Sequence, residues 1–260
     1  MISMSIPKIS QSLMKDYVKY LNKQECGLFF KAKYIDKIVD TPPSAAMKLG
    51  IYFEYLCTGQ IPRNGIKPTP ETTLKGELTS PYKKVKESAE LFKKIMAHYK
   101  IKVLEIGTSW QTDDCNGILD ILAEWNGKKC IIDLKYSGLL DNKWDERGWE
   151  IESLPTKDNI LIQAVHYKKL GLEILGENLD FYFFVFSSQD SADMRIIKAV
   201  VDEDRLASHD VAVTQVKESI EKTLKWGFKA IPDYVRCKDC PLYDTCQERA
   251  EMPQIVEVHY

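Results

Sequence analysis

Apolar positions recur at helical spacing through the first hundred residues and give way to strand-like runs from about residue 101. Leu13, Met14, Tyr17, Val18 and Leu21 share one face of a 3.6-residue period, so residues 10–23 read as an amphipathic helix. A second helix is expected over 44–57, entered through Thr41-Pro42-Pro43 and ended near Gly59. Residues 60–78 carry Pro62, Pro68 and Pro70 and read as a surface loop. Ser80 followed by Pro81 opens a third helix, to about residue 99. Residues 101–112 are strand-like, and two further strands, 117–125 and 128–136, flank Asn126-Gly127. Asn-Gly between β-rich runs is a strong hairpin signal. A long connection with Trp144 and Trp149 leads to a helix over about 158–170. Residues 181–186 and 194–201 read as strands, and 203–226 as a last long helix. This order predicts an α/β domain with a partly antiparallel sheet, helices on its faces and a cysteine-bearing tail.

The hairpin carries the first chemical argument. With Asn126 and Gly127 as the two loop residues, 125 faces 128 and 124 faces 129, and the same register sets Asp120 opposite Asp133. Directly opposed residues project from one face with Cβ atoms about 4.5–5.5 Å apart. Lys135 and Glu124 share that face. Ile118, Leu119, Ile121, Leu122, Ile131, Ile132 and Leu134 surround the two acids, and facing carboxylates in an apolar sheet repel each other. A divalent cation on hard carboxylate oxygens would relieve the repulsion, with Lys135 beside it to stabilise charge on a phosphate. The plainer alternative pairs Asp133 with Lys135 and leaves Asp120 on a solvated face.

Gly117-Ile-Leu-Asp120, then Asp133-Leu134-Lys135, then Gln163-Ala-Val-His-Tyr167 resembles the PD-(D/E)XK nuclease core of the RecB type, in motif order and in separation. The resemblance covers roughly residues 45–200 and implies a restriction-endonuclease-like α/β core, a mixed central sheet flanked by helices. It implies that Asp120 and Asp133 ligate the metal with help from the Leu134 carbonyl, and that Lys135 is the catalytic lysine. Gln163 and Tyr167, four apart and so on one helix face, would contact substrate or steady the active-site strand; without the other motifs they are an ordinary amphipathic pair. His166 between them reads as a surface or packing residue. Many members carry a metal-binding His after a glycine on an early helix. Here Gly50-Ile-Tyr-Phe-Glu54 puts glutamate at that place, a competent hard ligand or else a solvated helix residue.

Cys237-Lys-Asp-Cys240-Pro-Leu-Tyr-Asp-Thr-Cys246 is a C-x2-C-x5-C run that calls for a fourth ligand, whether for zinc or for an iron–sulfur cluster. Cys26 is the candidate. An early lone cysteine with this tail is similar to the iron–sulfur nucleases of the RecB-like group, among them CRISPR-associated members. That likeness implies a [4Fe–4S] cluster tying the chain ends together. Cys57, Cys115 and Cys130 read as small buried hydrophobes.

Composition narrows the class. With 260 residues and 44% hydrophobic content the chain can bury a core, which argues against a disordered or fibrous protein. Seven cysteines beside an N-terminus with no secretory pattern argue for reduced thiols or a metal site and a cytoplasmic location. No apolar run has membrane-spanning length, so no membrane partner is expected. Residues 1–100 hold 17 Lys and Arg against 9 Asp and Glu, and the rest of the chain 19 against 29. This is either a chance asymmetry or a basic surface for a polyanion, with Lys83, Lys84, Lys93 and Lys94 as candidates. One nuclease domain is expected over 1–260: a helical N-terminal region (1–44) with Cys26, a core (45–202), and a C-terminal helix with the cluster tail (203–260). The expected activity is Mg²⁺- or Mn²⁺-dependent hydrolysis of DNA, as an exonuclease on single strands or duplex ends. Trp144 or Trp149 would stack bases. Recombination, repair or CRISPR-adaptation proteins are the expected partners. The rival readings are a non-catalytic DNA-binding scaffold subunit and a nuclease acting on RNA.

Overall fold

The computed structural model sets the expected hairpin in the interior of a five-stranded mixed sheet. It describes residues 6–62, 64–138, 144–145, 148–149 and 156–253, with the side chains of 144–145, 148–149 and 156–161 left out. The helices are α1 (Gln11–Leu21), α2 (Gly27–Phe30, continued by a π-helical turn, Lys31–Ile35), α3 (Ala45–Thr58), α4 (Ser80–His98), α5 (Thr156–Leu175), α6 (Glu203–Trp226) and α7 (Tyr234–Lys238). The strands are β1 (Lys102–Ile106), β2 (Ser109–Gln111), β3 (Asn116–Ile118), β4 (Ile121–Trp125), β5 (Lys128–Ser137), β6 (Trp144–Asp145), β7 (Gly148–Trp149), β8 (Asp180–Ser187) and β9 (Met194–Ala199).

Local chemistry sets the helix ends. Ser10 caps α1 by accepting from the Leu13 amide, and Ser44 caps α3 by accepting from the Met47 amide. In the main sheet the order is β1-β4-β5-β8-β9. The β4–β5 hairpin has the expected register, Ile121 facing Ile132 and Trp125 facing Lys128, and Asn126 and Gly127 both have positive φ, 52° and 72°. Strand β8 pairs with β5 in parallel, which requires a crossover, and α5 lies in that connection. The mixed α/β architecture is therefore the expected one.

Two strands differ from expectation. The run 101–112 divides into β1 and β2, and the run 117–125 divides into β3 and β4, because β2 and β3 pair with each other in a separate ribbon, Trp110 facing Gly117. The chain turns out of the ribbon at Leu119–Asp120 and only then joins the main sheet. The expected base-stacking side chains of Trp144 and Trp149 lie outside the described residues.

Where one domain is expected over 1–260, the chain divides into two compact units, Pro43–His209 and a second formed by Met1–Pro42 with Asp210–Tyr260. Residues 203–209, read from the sequence with the tail, belong to the first. Its core packs Phe53, Tyr82, Val85, Ala89 and Phe92 of α3 and α4 against one face of the sheet, Ile121, Ala123, Cys130, Ile132, Leu134, Phe184 and Phe186. Helix α5 packs on β8 and on the β2–β3 ribbon, with Tyr167 stacked on Phe181 at 6.2 Å. Both faces of β5 are thus covered, and its residues from Cys130 to Leu134 are all buried. In the second unit Tyr17, Tyr20, Phe30 and Phe228 form an aromatic cluster, and the Tyr17 hydroxyl bonds to Ser219 and Thr223 of α6 at 2.8 and 2.9 Å.

Candidate active site

Strand β5 delivers Asp133 and Lys135 to one face of the sheet, because alternate residues point the same way. Asp133 is 5% exposed. Its Oδ1 accepts from Gln163 Nε2 at 2.5 Å. The Lys135 ammonium stands 2.5 Å from its Oδ2, yet among the described residues no donor is aligned on that oxygen as a hydrogen bond. Asp120 comes from the kink between β3 and β4. There β4 has ended and the Leu134 amide has no β4 partner, so Asp120 Oδ2 accepts that amide at 2.7 Å. The backbone of Asp120 is held as well, since the Gly107 amide donates to its carbonyl at 3.0 Å. Of the plainer alternative, the Asp133–Lys135 pair is present, while Asp120 is half-buried and held by the Leu134 amide.

Electrostatics show how crowded the acids are. Burial, then the charges of Asp133 and Glu54, push the Asp120 carboxyl well above the usual range. Burial raises Asp133 too, against the pull of Lys135 and Gln163. Glu54 on α3 is raised by burial and by Asp133, so this glutamate faces the carboxylates and is not simply a solvated helix residue. Burial alone would lower Lys135, but Asp133, Asp120 and Glu54 outweigh it and hold the ammonium protonated. Its side chain keeps 28% exposure and lies over the Phe183 ring at 5.8 Å, so it remains reachable from solvent.

Gln163, His166 and Tyr167 stand at i, i+3 and i+4 on one face of α5. Gln163 holds Asp133. The Tyr167 hydroxyl donates to the Ile118 carbonyl at 2.7 Å, and its ring packs so closely on Gly117 that a Cβ there would lie 2.5 Å from Cε1. A glycine is required at that approach. The structure therefore brings together Glu54, Asp120, Asp133, Leu134, Lys135, Gln163 and Tyr167.

No protein-family profile and no curated protein matches the chain. Among solved structures, a protein of Eubacterium rectale provisionally named an exonuclease superposes with a TM-score of 0.64, at 20% sequence identity over 96% of this chain and 91% of its own. The two share a fold. A second solved structure, SSO0001, reaches a TM-score of 0.29, at 13% identity over 63% of this chain and 68% of its own.

The cysteines lie in the second unit. Cys26, Cys237, Cys240 and Cys246 all line one cavity of about 310 Å³, together with Phe29, Pro42, Ile231 and Leu242. Gly27 makes this possible: its amide donates to the Lys229 carbonyl at 3.0 Å, and a Cβ would meet that oxygen at 2.4 Å. Arg236 also bonds to the Gln24 carbonyl. Within the tail the Cys240 amide donates to the Cys237 carbonyl, and the Ala250 amide donates to Cys237 Sγ at 3.5 Å. Burial, then local bonding and the three other thiols, act on Cys240, with a net rise. Among the described residues no three His, Cys, Asp or Glu side chains are drawn in to a ready metal cage. Cys115 and Cys130 are buried, and Cys57 is half-buried.

The pairing of His166 with His209 escaped the sequence. His166 is fully buried, its Nε2 2.9 Å from the Asn116 carbonyl and its Nδ1 3.0 Å from His209 Nε2. The signal available was its place on the Gln163–Tyr167 face. The candidate phosphate-binding lysines of α4 are mostly engaged within the protein: Lys83 with Glu77, Lys93 with Glu90, and Lys84 with the Gln189 carbonyl. No described helix is long and apolar enough to cross a membrane.

Proposed function

We propose that the chain is a metal-dependent nuclease of the RecB-like PD-(D/E)XK type that hydrolyses DNA phosphodiester bonds from strand ends. The observation that carries this reading is the gathering of Asp120, Asp133 and Glu54 around the Lys135 ammonium. Three crowded, partly or fully buried carboxylates facing, among the described residues, the Lys135 ammonium are costly unless further positive charge arrives. The oxygen donors, with Asp133 Oδ2 unaligned, suit a hard divalent ion, which would draw together carboxylates that form no ready cage among the described residues. Asp120, Asp133, Glu54 and the Leu134 carbonyl would hold Mg²⁺ or Mn²⁺, which when bound supplies Lewis-acid polarisation and a water of lowered pKa.

The side chains do the positioning. Gln163 Nε2 fixes one oxygen of Asp133 and the Leu134 amide fixes one oxygen of Asp120, so each carboxylate presents its second oxygen in a set direction. Lys135 Nζ keeps its proton and offers it to phosphate oxygens as charge builds on them. The exonuclease name of the E. rectale neighbour supports action at ends, and the excess of Lys and Arg before residue 101 supports a polyanionic substrate.

The four cysteines are read as ligands of a structural [4Fe–4S] cluster, with zinc as the alternative occupant; one cavity lined by all four thiols supports this. Protein prepared without oxygen should hold about four irons per chain. Zinc without iron would replace the cluster with a zinc site.

The deciding experiment offers end-labelled single-stranded DNA, duplex DNA and RNA to the protein with Mn²⁺ or with chelator. Metal-dependent shortening of DNA, lost in Asp133→Ala, is expected. Binding without cleavage would overturn the reading in favour of a scaffold subunit, and cleavage of RNA alone in favour of a ribonuclease.

A further inference from the structure

We propose that His166, clamped between the Asn116 carbonyl and His209, is a positioning residue that sets Asp120 against Asp133. The proposal rests on the nuclease reading for its purpose, but its evidence is geometric.

A carbonyl only accepts, so His166 Nε2 must carry the proton given to Asn116. The neutral ring then has a lone pair on Nδ1, and His209 Nε2–H donates to it at 3.0 Å. One tautomer of each ring satisfies both contacts. His166 thereby ties three elements together: its own α5, strand β3 through Asn116, and α6 through His209.

Strand β3 is where this matters. Its three residues are read in turn by two neighbours on α5. His166 takes the carbonyl of Asn116, the Tyr167 ring covers Gly117, and the Tyr167 hydroxyl takes the carbonyl of Ile118. Two residues later the chain reaches Asp120, where β3 has left the ribbon and the main sheet has not yet begun. A kink between two sheets has no ladder of its own to hold it. It is held by Leu119 to Thr108, Gly107 to Asp120 and Leu134 to the Asp120 carboxylate. The same helix face holds Asp133 directly through Gln163. Helix α5 thus grips both carboxylates, one by direct contact and one through β3, and the histidine pair locks the β3 grip in place. A buried hydrogen-bonded ring suits this role because, once one partner is removed, the other is left unsatisfied.

The test reads the amide that reports Asp120 directly. Leu134 N–H is bonded to Asp120 Oδ2, so its hydrogen exchange follows that carboxylate whether or not the protein cleaves anything. In His166→Ala, exchange at Leu134 and Leu119 should rise about tenfold, the effect of one net hydrogen bond, while amides of β8 stay as in wild type. His166→Gln, which keeps a donor for Asn116, should return both to within about twofold of wild type. Cleavage is followed in parallel, with kcat expected to fall in His166→Ala and recover in His166→Gln. A uniform rise at all sheet amides, or none at Leu134, would overturn the proposal and leave His166 as packing. If His166→Ala does not fold, His209→Ala reads the same amides by the same criterion. Selective loosening in a protein whose wild type cleaves nothing would uphold the positioning and sink the nuclease reading; unaltered exchange in an active nuclease does the reverse.

Discussion

Buried between two partners, the His166 ring should titrate far from an ordinary histidine. Burial, above all, pushes it down from 6.5 to about 4, with the Asn116 carbonyl opposing and His209 reinforcing the shift. A depressed histidine disfavours the charged form in the fold, so the unfolded chain binds the proton first as pH falls. Stability from the neutral ring is therefore complete above about 6.5 and is lost progressively between 6.5 and 4. A shift of that size corresponds to about 3 kcal/mol, at 1.36 kcal/mol for each pH unit. The carboxylates of the site act in the opposite sense over part of the same range, since their raised values favour the fold as pH drops. The clean quantity is thus the stability of wild type minus that of His166→Gln, from urea unfolding at pH 4.5 to 7.5. This difference should grow with pH. The chain has four histidines, so ring ¹H–¹³C shifts can follow His166 individually, with a midpoint expected near 4. A midpoint near 6.5, or a stability difference flat across the range, would refute a neutral, doubly bonded ring.

Asp120→Asn keeps an acceptor for the Leu134 amide and removes one of three crowded charges; its unfolding midpoint at pH 7 should rise, the gain vanishing below about pH 4, while metal-dependent cleavage falls by at least ~10²-fold. Gly117→Ala puts a methyl 2.5 Å from the Tyr167 ring and should cost ~1–3 kcal/mol in denaturant unfolding with loss of activity; wild-type values for both would show that the close approach is not needed. Gly27→Ala sets a methyl 2.4 Å from the Lys229 carbonyl and should lower iron content by moving Cys26 off the tail, whereas an unchanged iron-to-protein ratio would remove Cys26 from the site.

What could be read in advance was whatever the chain decides over a few residues. Asn126-Gly127 selects the turn by its own φ preferences, and the turn sets the β4–β5 register as far as Ile121 and Ile132; the expected strand pairing of Asp120 with Asp133 does not form, because Asp120 lies in the kink before β4. Ser10 and Ser44 mark their helices for the same reason. The burial of β5 on both faces was legible from the apolar residues on either side of Asp133, Cys130 to Ile132 and Leu134. Other features depend on partners far along the chain. The break of 117–125 at Asp120 exists because Asn116–Ile118 prefer the Ser109–Gln111 ribbon, a pairing that no local pattern announces. His166 looked like any helical histidine; its partners lie 50 residues before it and 43 after. Glu54 faces the carboxylates only because α3 packs on the face of the sheet over its central strand β5. The sequence alone determined which acids exist and the register of the hairpin beside them, because turn and strand preferences act at short range. Tertiary packing decided how they are enclosed, since desolvation and a buried hydrogen bond arise only when distant segments exclude water together.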